Sequence, residues 1–321
     1  VKGKTWKSDD RQIVKEALGE ARLRQVHSVK DLLKIPETTL IQQGLAKGCK
    51  GFHFDSRLIK SGFAFVAMEG ESKDGHLFID SAACNGASLI IVQKPIKRVK
   101  KEITVIQHPR PLEFLQIAAR RYRDSHPAFF LGITGSVGKT TCKDSLVHFM
   151  GPEAHGSPGN FNNTLGLPLS ILNMPPNKRF AIFEMGISIP GEMSQLAYCL
   201  NPDGMVFLPV HGSHEGNFES REHLLSEKLI ASKFLSEKKP VFVHSMQSEE
   251  LELGLKREVT SLEFDSSDLN HFGKGPAISI GFAREIAINL GISQKDVESR
   301  LKCLKLSPLR MERRPKGGWT F

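Results

Sequence analysis

Short, almost wholly apolar runs alternate along the chain with stretches whose apolar residues recur every three or four positions, and the two patterns predict different elements. From residue 26 to 109 the runs GFHF, FAFVAM, ASLIIVQ and EITVIQ are interrupted once by the helix-like HLFIDSAACNG. Strand, strand, helix, strand, strand predicts a small N-terminal α/β domain. In PLEFLQIAARRYRDSH, Leu112, Leu115, Ala118 and Ala119 fall at helical spacing and Pro127 follows, so a connecting helix is expected over 110–126. From 127 to 314 the runs AFFLGIT, KRFAIFEMG, DGMVFLPV and KPVFVHS alternate with CKDSLVHFM, GEMSQLAYCL and REHLLSEKLIASKFL. That alternation predicts a central domain with right-handed crossovers and a mainly parallel sheet flanked by helices, giving an α/β chain. GSPGNFNNTLGLP reads as a loop and 247–275 as a polar stretch with short edge strands, while further helices are expected near 279–290 and 293–304. Residues 1–25 read as a polar lead-in, and 315–321, ending in GGWTF, as the start of a further, missing C-terminal domain.

Composition narrows the class without naming a function. The 321 residues suit about two domains, each long enough for its own core. Cys49, Cys84, Cys142, Cys199 and Cys303 are scattered without a C-x-x-C pair, which argues against a zinc site or disulfide scaffold and predicts a reducing, cytoplasmic setting. No apolar run is long enough for a membrane helix, and no membrane partner is expected. The net charge of +9 raises nucleic acid as a partner. Its densest cluster, Lys94, Lys97, Arg98, Lys100 and Lys101, sits between two β-branched runs and contains no aromatic residue on which a base could stack. A solvated connection is the expectation there, and no nucleic-acid partner.

The segment GITGSVGKTT lies between a predicted strand and a predicted helix, the setting a phosphate-binding loop requires. Gly135 and Gly138 let backbone N–H groups turn toward an anion, and a helix beginning near Thr140 presents its positive end. The expected nucleotide contacts are Gly135, Ser136, Val137, Gly138, Lys139, Thr140 and Thr141, with Lys139 reaching the β/γ-phosphates of ATP and the Thr140 hydroxyl ligating Mg2+. The spacing departs from G-x-x-x-x-G-K-[ST], because Ile133 stands where the first glycine belongs.

This shortened loop resembles that of the Mur ligases, amide-forming enzymes of peptidoglycan precursor synthesis. FDSRLIKSGFAFVAMEGESKDGHLFIDSAACNGASLIIV, GNFNNTLGLPLSIL, FEMGIS and PDGMVFLPVHGSHEGNFES are similar to segments of the branch that joins D-alanyl-D-alanine to UDP-N-acetylmuramoyl-tripeptide. The resemblance runs from about residue 50 to the end. It implies a P-loop-type central domain, a nucleotide-sugar site on the N-terminal domain, ATP and Mg2+ as cofactors, and the tripeptide precursor and D-alanyl-D-alanine as partners of a monomeric ligase. A chain stopping at Phe321 is expected not to ligate alone, because relatives bind the incoming amine on a third domain. Two other readings stay open: a sister Mur or folylpolyglutamate-type ligase with another amine acceptor, and a nucleotide-sugar-binding module that has lost catalysis.

Several residues carry an expectation on this basis. Glu184, at the carboxyl end of a predicted strand, suits Mg2+ as an oxygen ligand, whereas histidine is an unusual one. The resemblance nevertheless assigns the metal to Glu184 and His214 together, with His211 as the near competitor. Lys228 falls among Leu224, Leu225 and Leu235 on the apolar stripe of its helix. It is either a lysine snorkelling past the stripe edge or a buried amine that loses its charge readily. In Mur ligases the matching lysine is carbamylated and ligates metal, so Lys139, Lys228 and His214 form the expected catalytic set and Thr140, Glu184, His214 and Lys228 the metal set. Ser56 and Arg57 of the DSR turn can hold a uridine diphosphate, or Asp55 can simply cap the turn and pair with Arg57. Asn160, Asn162 and Asn163 are turn-formers that, by resemblance, line the nucleotide-sugar cleft. Arg310 resembles the family's arginine near the hinge to the third domain and completes the nucleotide set. Val137, Pro209 and Leu309 depart from the family pattern, and Gly275 and Ser279 stand where relatives carry adenine-contacting His and Asn.

Overall fold

A computed structural model describes residues 27–70, 73–159, 161–210, 217–245, 248–255 and 257–305. Along the chain come β1 (His27–Ser28), α1 (Val29–Leu32), β2 (Thr39–Gln42), β3 (Gly48–Cys49), β4 (Phe52–His53), β5 (Ala64–Ala67), α2 (Ile79–Cys84), β6 (Leu89–Val92), β7 (Thr104–Gln107) and α3 (Pro111–Ser125). Then follow β8 (Phe129–Thr134), α4 (Lys139–Met150), β9 (Ala154–Gly156), α5 (Gly166–Leu172), β10 (Phe180–Glu184), α6 (Glu192–Leu200) and β11 (Gly204–Phe207). The last described elements are α7 (Arg221–Leu229), β12 (Val241–His244), α8 (Ser248–Leu255), β13 (Thr260–Leu262), α9 (Lys274–Asn289) and α10 (Gln294–Leu301).

In the first sheet β4, β5, β6 and β7 are parallel neighbours, and β2 closes one edge antiparallel to β7. Every residue of β5 and β6 is buried, because both faces of this sheet are covered. Ala64 and Val66 point into one apolar cluster while Phe65 and Ala67 point into another with Ile79 and Ala82 of α2. The basic run 94–101 lies in the connection between β6 and β7, where Lys94 pairs with Glu69 at 2.5 Å and Asp74 at 2.7 Å.

The central sheet is wholly parallel, in the order β13-β12-β11-β8-β10-β9. Leu131, Ile133, Ile182 and Val206 pack on Leu146 and Phe149 of α4 and on Ile280 and Ala283 of α9. The opposite face, with Phe130, Phe183 and Met205, packs on α3, α5 and α6. That second cluster continues without a break into Phe52, Val66 and Ile91 of the first sheet. Asn173, just past α5, adds a polar clamp: its Oδ1 accepts from Phe52 N–H at 2.9 Å and its Nδ2 donates to Phe52 O at 2.9 Å. Gly51 is required beside the clamp, since a Cβ there would stand 2.3 Å from Asn173 Oδ1.

The structure departs from the sequence reading in three places. GSPGNFNNTLGLP ends inside a helix, α5, because Pro168 falls in the first turn, where its missing N–H is no loss. The stretch 247–275 holds the edge strand β13, as expected, and also α8, whose SEELELGL lacks a clean apolar period. The expected single helix from 221 ends at Leu229 and tightens into a 3-10 turn over Ile230–Phe234.

A half-buried histidine contributes to the pH dependence of the fold. His155 of β9 lies edge-on to Phe183 at 6.0 Å, its Nε2 has no hydrogen-bond partner, and burial pushes its imidazole down to about 4. The unfolded chain takes up this proton near the ordinary value, whereas the folded chain resists it until about pH 4. Stability is therefore complete above neutrality and falls as pH drops through that window, by roughly 3 kcal/mol. Urea unfolding between pH 7 and 4 measures the loss, and His155→Gln is expected to remove the His155 share of it, leaving that of His27 and His126, whose imidazoles burial also lowers.

Candidate active site

The chain leaves β8 through α4 to the far edge strand β9, returns to β10 beside β8, and then crosses to β11 on the other side. Strand order therefore reverses at β8, and the crevice beyond the carboxyl end of such a strand is where ligands bind in open parallel sheets. The loop 135–138 fills the floor of that crevice. Gly135 has φ +142° and Gly138, the residue capping α4, has φ +86°, conformations that disfavour a side chain. A Cβ on Gly135 would also stand 2.6 Å from Leu208 Cβ and 2.8 Å from Leu208 O. Gly135→Ala is accordingly expected to cost about 1–3 kcal/mol in a urea melt and to weaken nucleotide binding in calorimetry.

Three charged side chains converge on this floor. Lys139 Nζ donates back to Gly135 O at 2.7 Å and Ser136 O at 3.1 Å, and Lys228 Nζ donates to the same Gly135 carbonyl at 3.3 Å. Lys228 is 1% exposed and flanked by buried Leu224 and Leu235, so it is a core lysine and does not snorkel to the surface. Glu184, also 1% exposed, ends β10 and accepts from the Thr140 hydroxyl at 3.0 Å through Oε2. Asn162 Nδ2 donates to the same oxygen at 3.4 Å, which places this asparagine against the carboxylate. Cys142, in the same helix turn, is buried; burial and the Glu184 charge push its thiol up, so it takes no nucleophilic part.

Two polar atoms of the floor are buried without a hydrogen-bond partner: Ser136 Oγ and Glu184 Oε1. Glu184 Oε1 is met by the Lys143 ammonium at 3.4 Å, which leaves Ser136 Oγ as the atom whose hydrogen bonding a ligand would complete. The oxygens of Thr140 and Glu184 are hard donors that suit Mg2+, and the lysines with the α4 amino end suit phosphate. Among the described residues no three His, Cys, Asp or Glu side chains come together as a metal cage.

A cavity of about 590 Å³ opens beside the DSR turn, lined by Phe54, Ser56, Arg57, Lys73, Phe78 and, from the central unit, Leu165. Asp55 caps the turn through Arg57 N–H at 3.0 Å and pairs with the Arg57 guanidinium at 2.6 Å, which holds its carboxyl down at about 2. The Arg57 side chain is still 84% exposed, so the pairing leaves its outer edge open to an anion. Asn163 Oδ1 accepts from Gly166 N–H at 2.7 Å and thus caps the start of α5.

Comparison with known proteins agrees with this geometry. Residues 49–123 match the Mur ligase family catalytic domain and residues 133–273 the Mur ligase middle domain. The chain belongs to the Mur ligase family. Among its relatives, the UDP-N-acetylmuramoyl-tripeptide--D-alanyl-D-alanine ligase of Bacillus subtilis is 35% identical over 181 residues, covering 56% of this chain and 40% of that protein. The corresponding ligase of Rickettsia prowazekii is 34% identical over 182 residues, with the same coverage. The chain thus spans about two fifths of the length of these curated relatives. In structure it resembles MurF ligase from Thermotoga maritima in complex with ADP, with TM-score 0.67, 25% identity and coverage of 83% of this chain and 69% of that one. MurF from Acinetobacter baumannii shares the fold at TM-score 0.71 and 21% identity, over 98% of this chain and 72% of that one.

Within this Mur ligase fold, Ser279 of α9 faces the phosphate loop, since a Cβ on Gly138 would stand 2.4 Å from its hydroxyl. Val137 is 67% exposed at the loop tip. Asn160, His211, His214 and Arg310 lie outside the described residues, as do 1–26 and 306–321. One residue absent from the sequence reading belongs in the site. Lys143, buried on α4, forms an ion pair with Glu184 Oε1 at 3.4 Å. Its helical position, four residues past Lys139 and three past Thr140, was the available signal.

Proposed function

We propose that the protein is an ATP-dependent amide ligase of peptidoglycan precursor synthesis that joins D-alanyl-D-alanine to UDP-N-acetylmuramoyl-tripeptide. The observation that carries the reading is the meeting of Lys139, Lys228, Thr140 and Glu184 at the strand-order reversal of the central sheet. In the proposed reaction the terminal carboxylate of the tripeptide takes the γ-phosphoryl group of ATP, giving an acyl phosphate and ADP. The amine of D-alanyl-D-alanine then attacks the acyl carbon, and phosphate leaves as the amide forms.

Each residue has a task set by its chemistry. The loop N–H groups and the amino end of α4 cradle the phosphates, and Lys139 moves from the Gly135 and Ser136 carbonyls onto the transferring phosphoryl oxygens. Mg2+, when bound, screens the phosphate charge and polarises the γ-phosphoryl group. Thr140, Glu184, His214 and Lys228, the last as a carbamate, are the residues proposed to hold it. Ser56 and Arg57, with Asn160, Asn162 and Asn163, are proposed to hold the nucleotide sugar, and Arg310 the nucleotide. Calorimetry with UDP-N-acetylmuramoyl-tripeptide and with ATP plus Mg2+ tests the two sites separately, and ADP release with different amines tests the acceptor. The reading requires both ligands to bind and D-alanyl-D-alanine to be the preferred amine. Uridine-substrate binding without any Mg2+-dependent ATP binding contradicts it.

A further inference from the structure

The proposed reaction leaves one buried cation of the crevice without a task. Lys143 is 3% exposed, and three oxygens surround its ammonium: Ser157 O at 2.7 Å, Asp144 Oδ1 at 3.0 Å and Glu184 Oε1 at 3.4 Å. The Ser157 carbonyl takes a hydrogen bond from it, and the two carboxylate oxygens meet its charge, which together fix its place. Ser157 closes a triangle, because its hydroxyl accepts from Glu184 N–H at 3.5 Å. The two oxygens of Glu184 therefore keep different company. Oε1 faces a fixed charge without a directed hydrogen bond, while Oε2 meets Thr140 Oγ1 at 3.0 Å and Asn162 Nδ2 at 3.4 Å, beside the phosphate loop.

We propose that Lys143 is a positioning residue: by holding one oxygen of the Glu184 carboxylate it leaves the other alone for a divalent cation, and so sets the preference for Mg2+ over Ca2+. Mg2+ demands near-ideal octahedral geometry, which one oxygen per carboxylate satisfies. Ca2+ is larger, takes more ligands and accepts both oxygens of one carboxylate. With Oε1 engaged, the carboxylate offers only the first mode. The proposal rests on the ATP and Mg2+ reading above.

Replacing Lys143 also removes a positive charge near the cation, but that change acts on both ions alike and cancels in the ratio of their affinities. The test is displacement of Mn2+ from the protein with ADP bound, by Mg2+ or by Ca2+, read from the spin-resonance signal of free Mn2+. In Lys143→Met the Ca2+/Mg2+ affinity ratio is expected to rise about tenfold over the unsubstituted protein, the scale on which groups that orient metal ligands act. Lys143→Leu, which likewise leaves Glu184 Oε1 without a donor, is expected to move the ratio in the same direction and replaces the methionine variant if that does not fold. An unchanged ratio in a folded variant, with only the unfolding temperature lowered, makes Lys143 a structural lysine and overturns the proposal. Absence of Mn2+ uptake by the unsubstituted protein with ADP instead overturns the metal-dependent reading, and this inference with it.

Discussion

Lys139→Met, made in the full-length protein, is expected to lower kcat for ATP-driven amide formation by about 10²–10³-fold, the usual loss when one preorganised charge is withdrawn from a developing anion. The fold should respond less than the rate, because the hydrogen bonds of the Lys139 ammonium to Gly135 O and Ser136 O stay within its own loop. Methionine keeps the length of the side chain and removes its charge. Initial rates of ADP release, together with a thermal melt of the same preparation, separate the two effects. A fall in rate matched by a comparable fall in unfolding temperature would assign Lys139 to the fold and not to phosphoryl transfer.

Lys228→Ala is expected to reduce the rate by about 10²-fold, and short-chain carboxylates are expected to restore part of it. The argument starts from burial: the amine is 1% exposed, 3.3 Å from the Gly135 carbonyl that Lys139 also contacts. As a carbamate it would present two anionic oxygens to a cation, and formate or acetate can occupy the space that alanine leaves. Lys228→Met fills that space and should resist rescue. Equal behaviour of the two variants toward acetate contradicts the carbamate, whereas undiminished activity in Lys228→Ala removes the residue from the site altogether.

The elements that the sequence made legible are those with a sustained period and clean ends: β5, β6 and β8 as apolar runs, and α3 between Pro111 and the residues before Pro127. The phosphate loop was equally plain, since Gly135 and Gly138 adopt the backbone their glycines permit. Burial of Lys228 followed from its place among leucines, and the snorkelling alternative fails on its 1% exposure. What stayed hidden depends on which element faces which. Periodicity fixes the inward face of α4 but says nothing of Glu184, 41 positions past Lys143 and on strand β10, so their ion pair is a tertiary fact. The contact of Asn162 with Glu184 is of the same kind. Helix α5 was masked locally, by turn-formers before it and Pro168 inside it.

The clamp at Asn173 bears on how this architecture can be inherited. Phe52, Val66 and Ile91 share one apolar cluster with Phe114, Leu169 and Phe183, and the outer backbone edge of β4 is satisfied by a side chain from the central unit. Taken alone, the first sheet would carry both that apolar face and an open strand edge into water, the combination that invites sheet-to-sheet aggregation. It is therefore not a free-standing cassette. Recombination between relatives could exchange this uridine-side unit only together with α5 and the asparagine that follows it.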